Sequence, residues 1–82
     1  MSTTTPTDIE ITVTEALTTF GAKADEITRD ATWDSIDIDS LDLAELAQIV
    51  EDEHGVDMAP DDMKNINTVG DAIDYITEKK AA

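Results

Sequence analysis

The stretch Asp39-Ser40-Leu41-Asp42-Leu43-Ala44-Glu45-Leu46-Ala47-Gln48-Ile49-Val50-Glu51-Asp52-Glu53-His54 decides the fold. Leu43, Leu46, Ala47, Ile49 and Val50 recur at helical spacing and lay a broad apolar face along one side. Asp42, Glu45, Gln48 and Asp52 take the opposite side. Asp39 suits the N-cap, where a short acceptor side chain satisfies a free N–H. Gly55 suits the stop, where a left-handed residue closes the last turn. The stretch reads as an amphipathic helix that needs other elements to cover one face.

Its neighbours supply them. Downstream, Val56, Met58 and Pro60 lead into a short helix of one or two turns over 61–66, with Asp61 and Asp62 at its positive end. Thr68 caps a last helix whose apolar face is Val69, Ala72, Ile73 and Ile76, with Lys79 and Lys80 at its negative end. Upstream, residues 21–38 carry no single period. A connection this long in a small domain must pack, and Ile27, Trp33, Ile36 and Ile38 are the residues expected to pin it.

The segment before it is ambiguous. Ile9, Ile11 and Val13 alternate as in a strand, whereas Ile9, Val13, Ala16, Leu17 and Phe20 repeat as in a helix. The helical pattern spans more residues, so the reading is helix despite the many Thr residues. Thr7 and Glu10 form a T-x-x-E capping box, and Gly21 is the stop. Residues 1–6 are expected to be a disordered tail. The whole is an all-α four-helix bundle, with three main helices, one short helix and a long loop between the first two. It forms one domain over 7–80.

Composition narrows the function. The chain has 82 residues, with 20 acidic against 5 basic side chains and a net charge of −15. Nucleic-acid binding needs clustered cations, and anionic membranes repel the same charge, so neither is an expected partner. Cysteine is absent, which excludes disulfides and thiolate metal sites. No apolar run is long enough for a membrane span, and the N-terminus does not read as a signal peptide. A monomer in the cytoplasm is the expectation.

Three constellations bear on chemistry. His54 is the single histidine, and at a helix C-terminus it reads as a complement to the dipole. Residues 34–45 have the length of a calcium loop, but Ile36 and Ile38 stand where oxygen ligands are needed and Asp39 where the turn needs glycine. No metal is expected there. Asp39-Ser40-Leu41 opens the decisive helix. Its plain reading is capping; its functional reading is a hydroxyl at a helix N-terminus, where a phosphate is electrostatically favoured.

Longer blocks bear on that choice. Residues 38–46, Ile-Asp-Ser-Leu-Asp-Leu-Ala-Glu-Leu, resemble the D-S-L-x-x-x-E-L signature of acyl carrier proteins. Residues 51–56, Glu-Asp-Glu-His-Gly-Val, are similar to that family's E-E-E-F-G-[IV] segment. Residues 68–76, Thr-Val-Gly-Asp-Ala-Ile-Asp-Tyr-Ile, match its T-V-x-D-A-I-D-Y-I ending. The likeness runs without a gap from Trp33 to Ile76.

The resemblance implies a carrier rather than an enzyme. A phosphopantetheinyl transferase would attach 4'-phosphopantetheine to Ser40, flanked by Asp39 and Leu41, and acyl chains would ride on the arm as thioesters. In that family a bundle of this kind can also open to take such a chain between its helices. Synthases and acyltransferases with basic patches would dock on Asp42, Glu45, Glu51 and Asp52. The family's loop glycine is Asp37 here, which implies altered loop geometry. His54 replaces a usual Phe, which implies weaker packing or an outward ring, and Gln48 replaces a common apolar residue.

Charge supports docking. Twelve acids and no Lys or Arg fall between Asp30 and Asp62, and such one-signed charge repels itself unless a partner answers it. The reading is a free-standing type II carrier of fatty-acid or polyketide biosynthesis. The alternatives are a peptidyl or aminoacyl carrier of a nonribosomal system, or an acidic interaction module in which Ser40 only caps.

Overall fold

The computed structural model describes residues 8–81. Four helices follow one another: α1 (Asp8–Thr19), α2 (Ser40–His54), α3 (Pro60–Met63) and α4 (Val69–Ala81). The all-α expectation holds, including the helical choice for the ambiguous first segment. Its Thr residues are accommodated by back-bonding, since Thr18 and Thr19 donate to the carbonyls of Thr14 and Glu15. The expected tail and the Thr7 half of the capping box lie outside the described residues. α3 is a single turn, one residue earlier and shorter than the expected 61–66.

The ends of α2 are built as its sequence implies. Asp39 Oδ1 accepts from the Asp42 N–H at 3.0 Å, and Asp42 Oδ2 reaches back to the Asp39 N–H at 3.4 Å. Gly55 closes the helix with φ +68°, which costs a glycine little. At α4, Thr68 Oγ1 accepts from the Asp71 N–H at 3.1 Å, the expected cap.

The core is aliphatic. Val13, Leu17, Leu46, Val50, Val69 and Ile76 are fully buried. Of the four loop residues expected to pin the connection, Ile36 and Ile38 are buried, while Ile27 and Trp33 pack partly buried against the core. Leu43, Ala47 and Ile49 of α2 are only half-buried.

The long loop is more than ballast. It makes two 3-10 turns, Ala24–Glu26 and Asp34–Ile36. Between them its backbone reaches the start of α4: the Val69 N–H donates to the Ala31 carbonyl at 3.0 Å, and the Gly70 N–H to the Arg29 carbonyl at 2.9 Å. These N–H groups have no acceptor within their own helix. Arg29 also pairs with Asp74 of α4 at 2.7 Å. Trp33 Nε1 donates to the Ile66 carbonyl at 2.9 Å, and the Tyr75 hydroxyl to Asp62 at 2.7 Å. That last bond, with burial second, holds the Tyr75 phenol above its ordinary range.

Asp37 sits at φ +57°, ψ +38°, in the left-handed region that glycine enters most readily. Aspartate tolerates this region better than most residues. Asp37→Gly is expected to stabilise the fold by about 0.5–1 kcal/mol through relief of that strain, measurable as a higher urea midpoint.

Candidate functional site

Ser40 is the first residue of α2 and is exposed. Its position follows from the cap: Asp39 takes the Asp42 N–H, so the serine hydroxyl is not needed for capping. Among the described residues, Ser40 Oγ has no hydrogen-bond partner. The N–H groups of Ser40 and Leu41 belong to the unpaired first turn, where the helix dipole favours negative charge. An exposed hydroxyl there is a fitting acceptor for a phosphoryl group.

A second serine tests the assignment. Asp34-Ser35-Ile36 has nearly the same composition as Asp39-Ser40-Leu41. Yet Ser35 Oγ donates to the Thr32 carbonyl at 2.7 Å, and its N–H lies 3.2 Å from Thr32 Oγ1. Its hydroxyl serves the turn. The contrast is one of geometry, and the short string D-S-[IL] does not contain it.

The residues expected to dock partners are not equivalent. Leu41, Glu45, Gln48 and Asp52 are spaced four, three and four apart, so they form one stripe running down α2 from Ser40. All four are exposed, and Leu41 at 79% is the most exposed large apolar side chain described. Gln48 donates to Asp52 at 3.1 Å along the stripe. Asp42 and Glu51 flank it on opposite sides, and Asp42 is half-buried and committed to the cap. The expected four-acid face is therefore a stripe of Glu45 and Asp52, with Leu41 at its head and Glu51 off its edge.

The cations lie elsewhere. Arg29 pairs with Asp74, Lys64 with Asp61 at 3.8 Å, and Lys79 sits 5.5 Å from the Tyr75 ring centroid. Among the described residues no ion pair reaches a carboxylate of α2. With the α2 carboxylates lacking an ion-pair partner among the described residues, raising salt from low to moderate ionic strength is expected to stabilise the fold by roughly 1 kcal/mol, about 4–8 °C in Tm. Millimolar magnesium should act in the same direction. A flat thermal-melt series would contradict this.

Beside the first turns of α2 lies an apolar pocket lined by Trp33, Leu43, Leu46, Met58, Met63 and Ile66. Its void is about 10 Å³, at the limit for one water. Any larger guest requires the helices to part.

Among the described residues, no helix is long and apolar enough to cross a membrane. Residues 8–76, from the start of α1 through most of α4, match the family described as Phosphopantetheine attachment site. The match takes in the exposed serine at the head of α2, its acidic cap and the helices that hold them. The chain belongs to that family: it is a carrier protein bearing covalent 4'-phosphopantetheine, and it is not itself an enzyme.

Proposed function

We propose that Ser40 is the attachment residue and that the chain is an acyl carrier of type II fatty-acid or polyketide biosynthesis, acting as a cytoplasmic monomer. The observation that carries the assignment is the free, exposed Ser40 hydroxyl at the head of α2. In the transfer, the hydroxyl oxygen bonds to the pantetheine-bearing phosphorus of coenzyme A. The phosphoanhydride bond breaks, adenosine 3',5'-bisphosphate leaves, and the hydroxyl proton passes to a base of the transferase. When bound, the arm supplies a terminal thiol, which the cysteine-free polypeptide lacks.

What the chain itself contributes is presentation. Asp39 and Asp42 fix the first turn of α2, so the serine stands at a defined point. Leu41 offers an apolar contact beside it, and Glu45, Asp52 and the flanking Glu51 offer charge to Lys and Arg of synthases and acyltransferases. Such charge speeds encounter and fixes register more than it adds affinity. This one-signed α2 favours an acyl carrier over a peptidyl carrier.

Incubation of the apo-chain with coenzyme A and a broad-specificity phosphopantetheinyl transferase is expected to add one phosphopantetheine mass, located by fragmentation to Ser40. No gain would overturn the reading. Loading of the holo-chain by a malonyl transferase, and not by an aminoacyl-adenylating enzyme, would support the acyl subclass; the reverse would select the peptidyl one.

A further inference from the structure

His54 does not behave as a simple complement to the dipole of α2. It is half-buried, and both ring nitrogens are occupied. Nε2 lies 2.8 Å from Thr12 Oγ1 of α1, and Nδ1 lies 2.9 Å from Lys80 Nζ of α4. An ammonium has donors only, and a neutral imidazole has one donor and one acceptor. Lys80 must therefore donate to Nδ1. The ring proton is then on Nε2 and is donated to Thr12, whose side chain is buried. The ring in this arrangement is neutral, and it joins three helices at one point.

We infer that His54 is a proton-operated clamp on the C-terminal turn of α4. A proton added to the ring can go only to Nδ1. That removes the acceptor and sets two cations against each other at a separation of 2.9 Å, so the Lys80 contact is lost. The Thr12 contact survives, because Nε2–H remains a donor. Acid thus frees the last turn of α4 while leaving α1 tied to α2.

The surroundings are mixed. On α1, Asp8 and Glu15 sit one turn to either side of Thr12, and Glu15 and Glu53 share the groove between α1 and α2. On α2, Glu51 lies one turn before His54. α4 brings Lys80, while Ile76 and Thr77 one turn earlier are uncharged. Lys80, donating to Nδ1, is the contact that fixes the neutral tautomer of the ring. The clamp lies about 21 Å along α2 from Ser40. It acts on the bundle without touching the attachment point.

Nitrogen NMR of the full chain tests this directly. Near pH 8 the His54 ring should be the Nε2–H tautomer. On lowering the pH to 5, amide exchange in the last turn of α4, corrected for intrinsic rates, should rise roughly three- to tenfold, the span of one net hydrogen bond. In Lys80→Met the exchange should already be raised at pH 8 and show no further step. An Nδ1–H tautomer near pH 8, the absence of a step in the wild-type chain, or an equal step in the Lys80→Met chain would overturn the clamp. Because the readout is the ring and the α4 amides of the unmodified chain, failure here says nothing about Ser40.

Discussion

Ser40→Ala is expected to abolish the gain in mass on incubation with coenzyme A and transferase, while Tm stays within a degree or two of wild type. The two halves of this expectation rest on different observations. The loss follows because Ser40 supplies the only unengaged hydroxyl at the head of α2, whereas Ser35 Oγ is bonded to the Thr32 carbonyl. Retained stability follows because Ser40 Oγ makes no bond in the fold, and alanine is a good residue for a first helical turn. A surface change of this kind is usually worth less than about 0.5 kcal/mol.

The matched variant Ser35→Ala should do the opposite. It removes a hydrogen bond of the 3-10 turn, at a cost of about 0.5–1.5 kcal/mol, and should leave the mass gain intact. Intact-mass spectrometry and thermal melts on the two variants read both effects. A Ser40→Ala chain that still gains mass would place the attachment elsewhere.

Gly70→Ala is expected to have the largest effect on stability. A Cβ at Gly70 would stand 2.9 Å from the Arg29 carbonyl oxygen and 3.1 Å from Arg29 Cβ. The nearer atom is backbone, so no side-chain rotation relieves the clash. The loop must retreat, which lengthens the Gly70 N–H to Arg29 and Val69 N–H to Ala31 bonds and strains the Arg29–Asp74 pair. Overpacking of this kind costs about 1–3 kcal/mol, and lost backbone bonds add to it. Alanine's better helix propensity returns just under 1 kcal/mol.

The expected net is a loss of about 2 kcal/mol, or roughly 10 °C in Tm for a domain of this size. Gly55→Ala makes a useful contrast. No atom lies within 4 Å of its Cβ position, so only left-handed strain of about 1–2 kcal/mol opposes it. If Gly70→Ala melted at or above wild type, the close approach of loop and helix would not be a constraint on the fold.

Much of this architecture was legible in the sequence because it depends on local periodicity and local chemistry. Asp39 and Gly55 marked the ends of α2, Thr68 the start of α4, and Ile36 and Ile38 proved to be the buried anchors of the loop. What singles out Ser40 in the sequence is the set of blocks around it. What escaped was interaction between elements. Apolar spacing reports which face a helix buries, but not which loop carbonyl meets its first N–H. The bonds from Val69 and Gly70 to Ala31 and Arg29 therefore left no trace in composition or period. The contacts of His54 escaped for the same reason: Thr12 and Lys80 lie on helices far from it in sequence. The left-handed turn at Asp37 escaped differently, because a left-handed aspartate and an ordinary one have the same letter.

The joining of the long loop to α4 also bears on how the chain reaches this state. The first backbone donors of α4 find their acceptors on the far side of α2 in sequence, so α4 starts on carbonyls laid down before the central helix. A fragment beginning at α2 lacks those acceptors and should leave α4 frayed at its start. Sequence-distant closure of this kind slows folding relative to a bundle with local turns only. It also couples the long loop to α4, so that the two open and close together as one unit in hydrogen exchange.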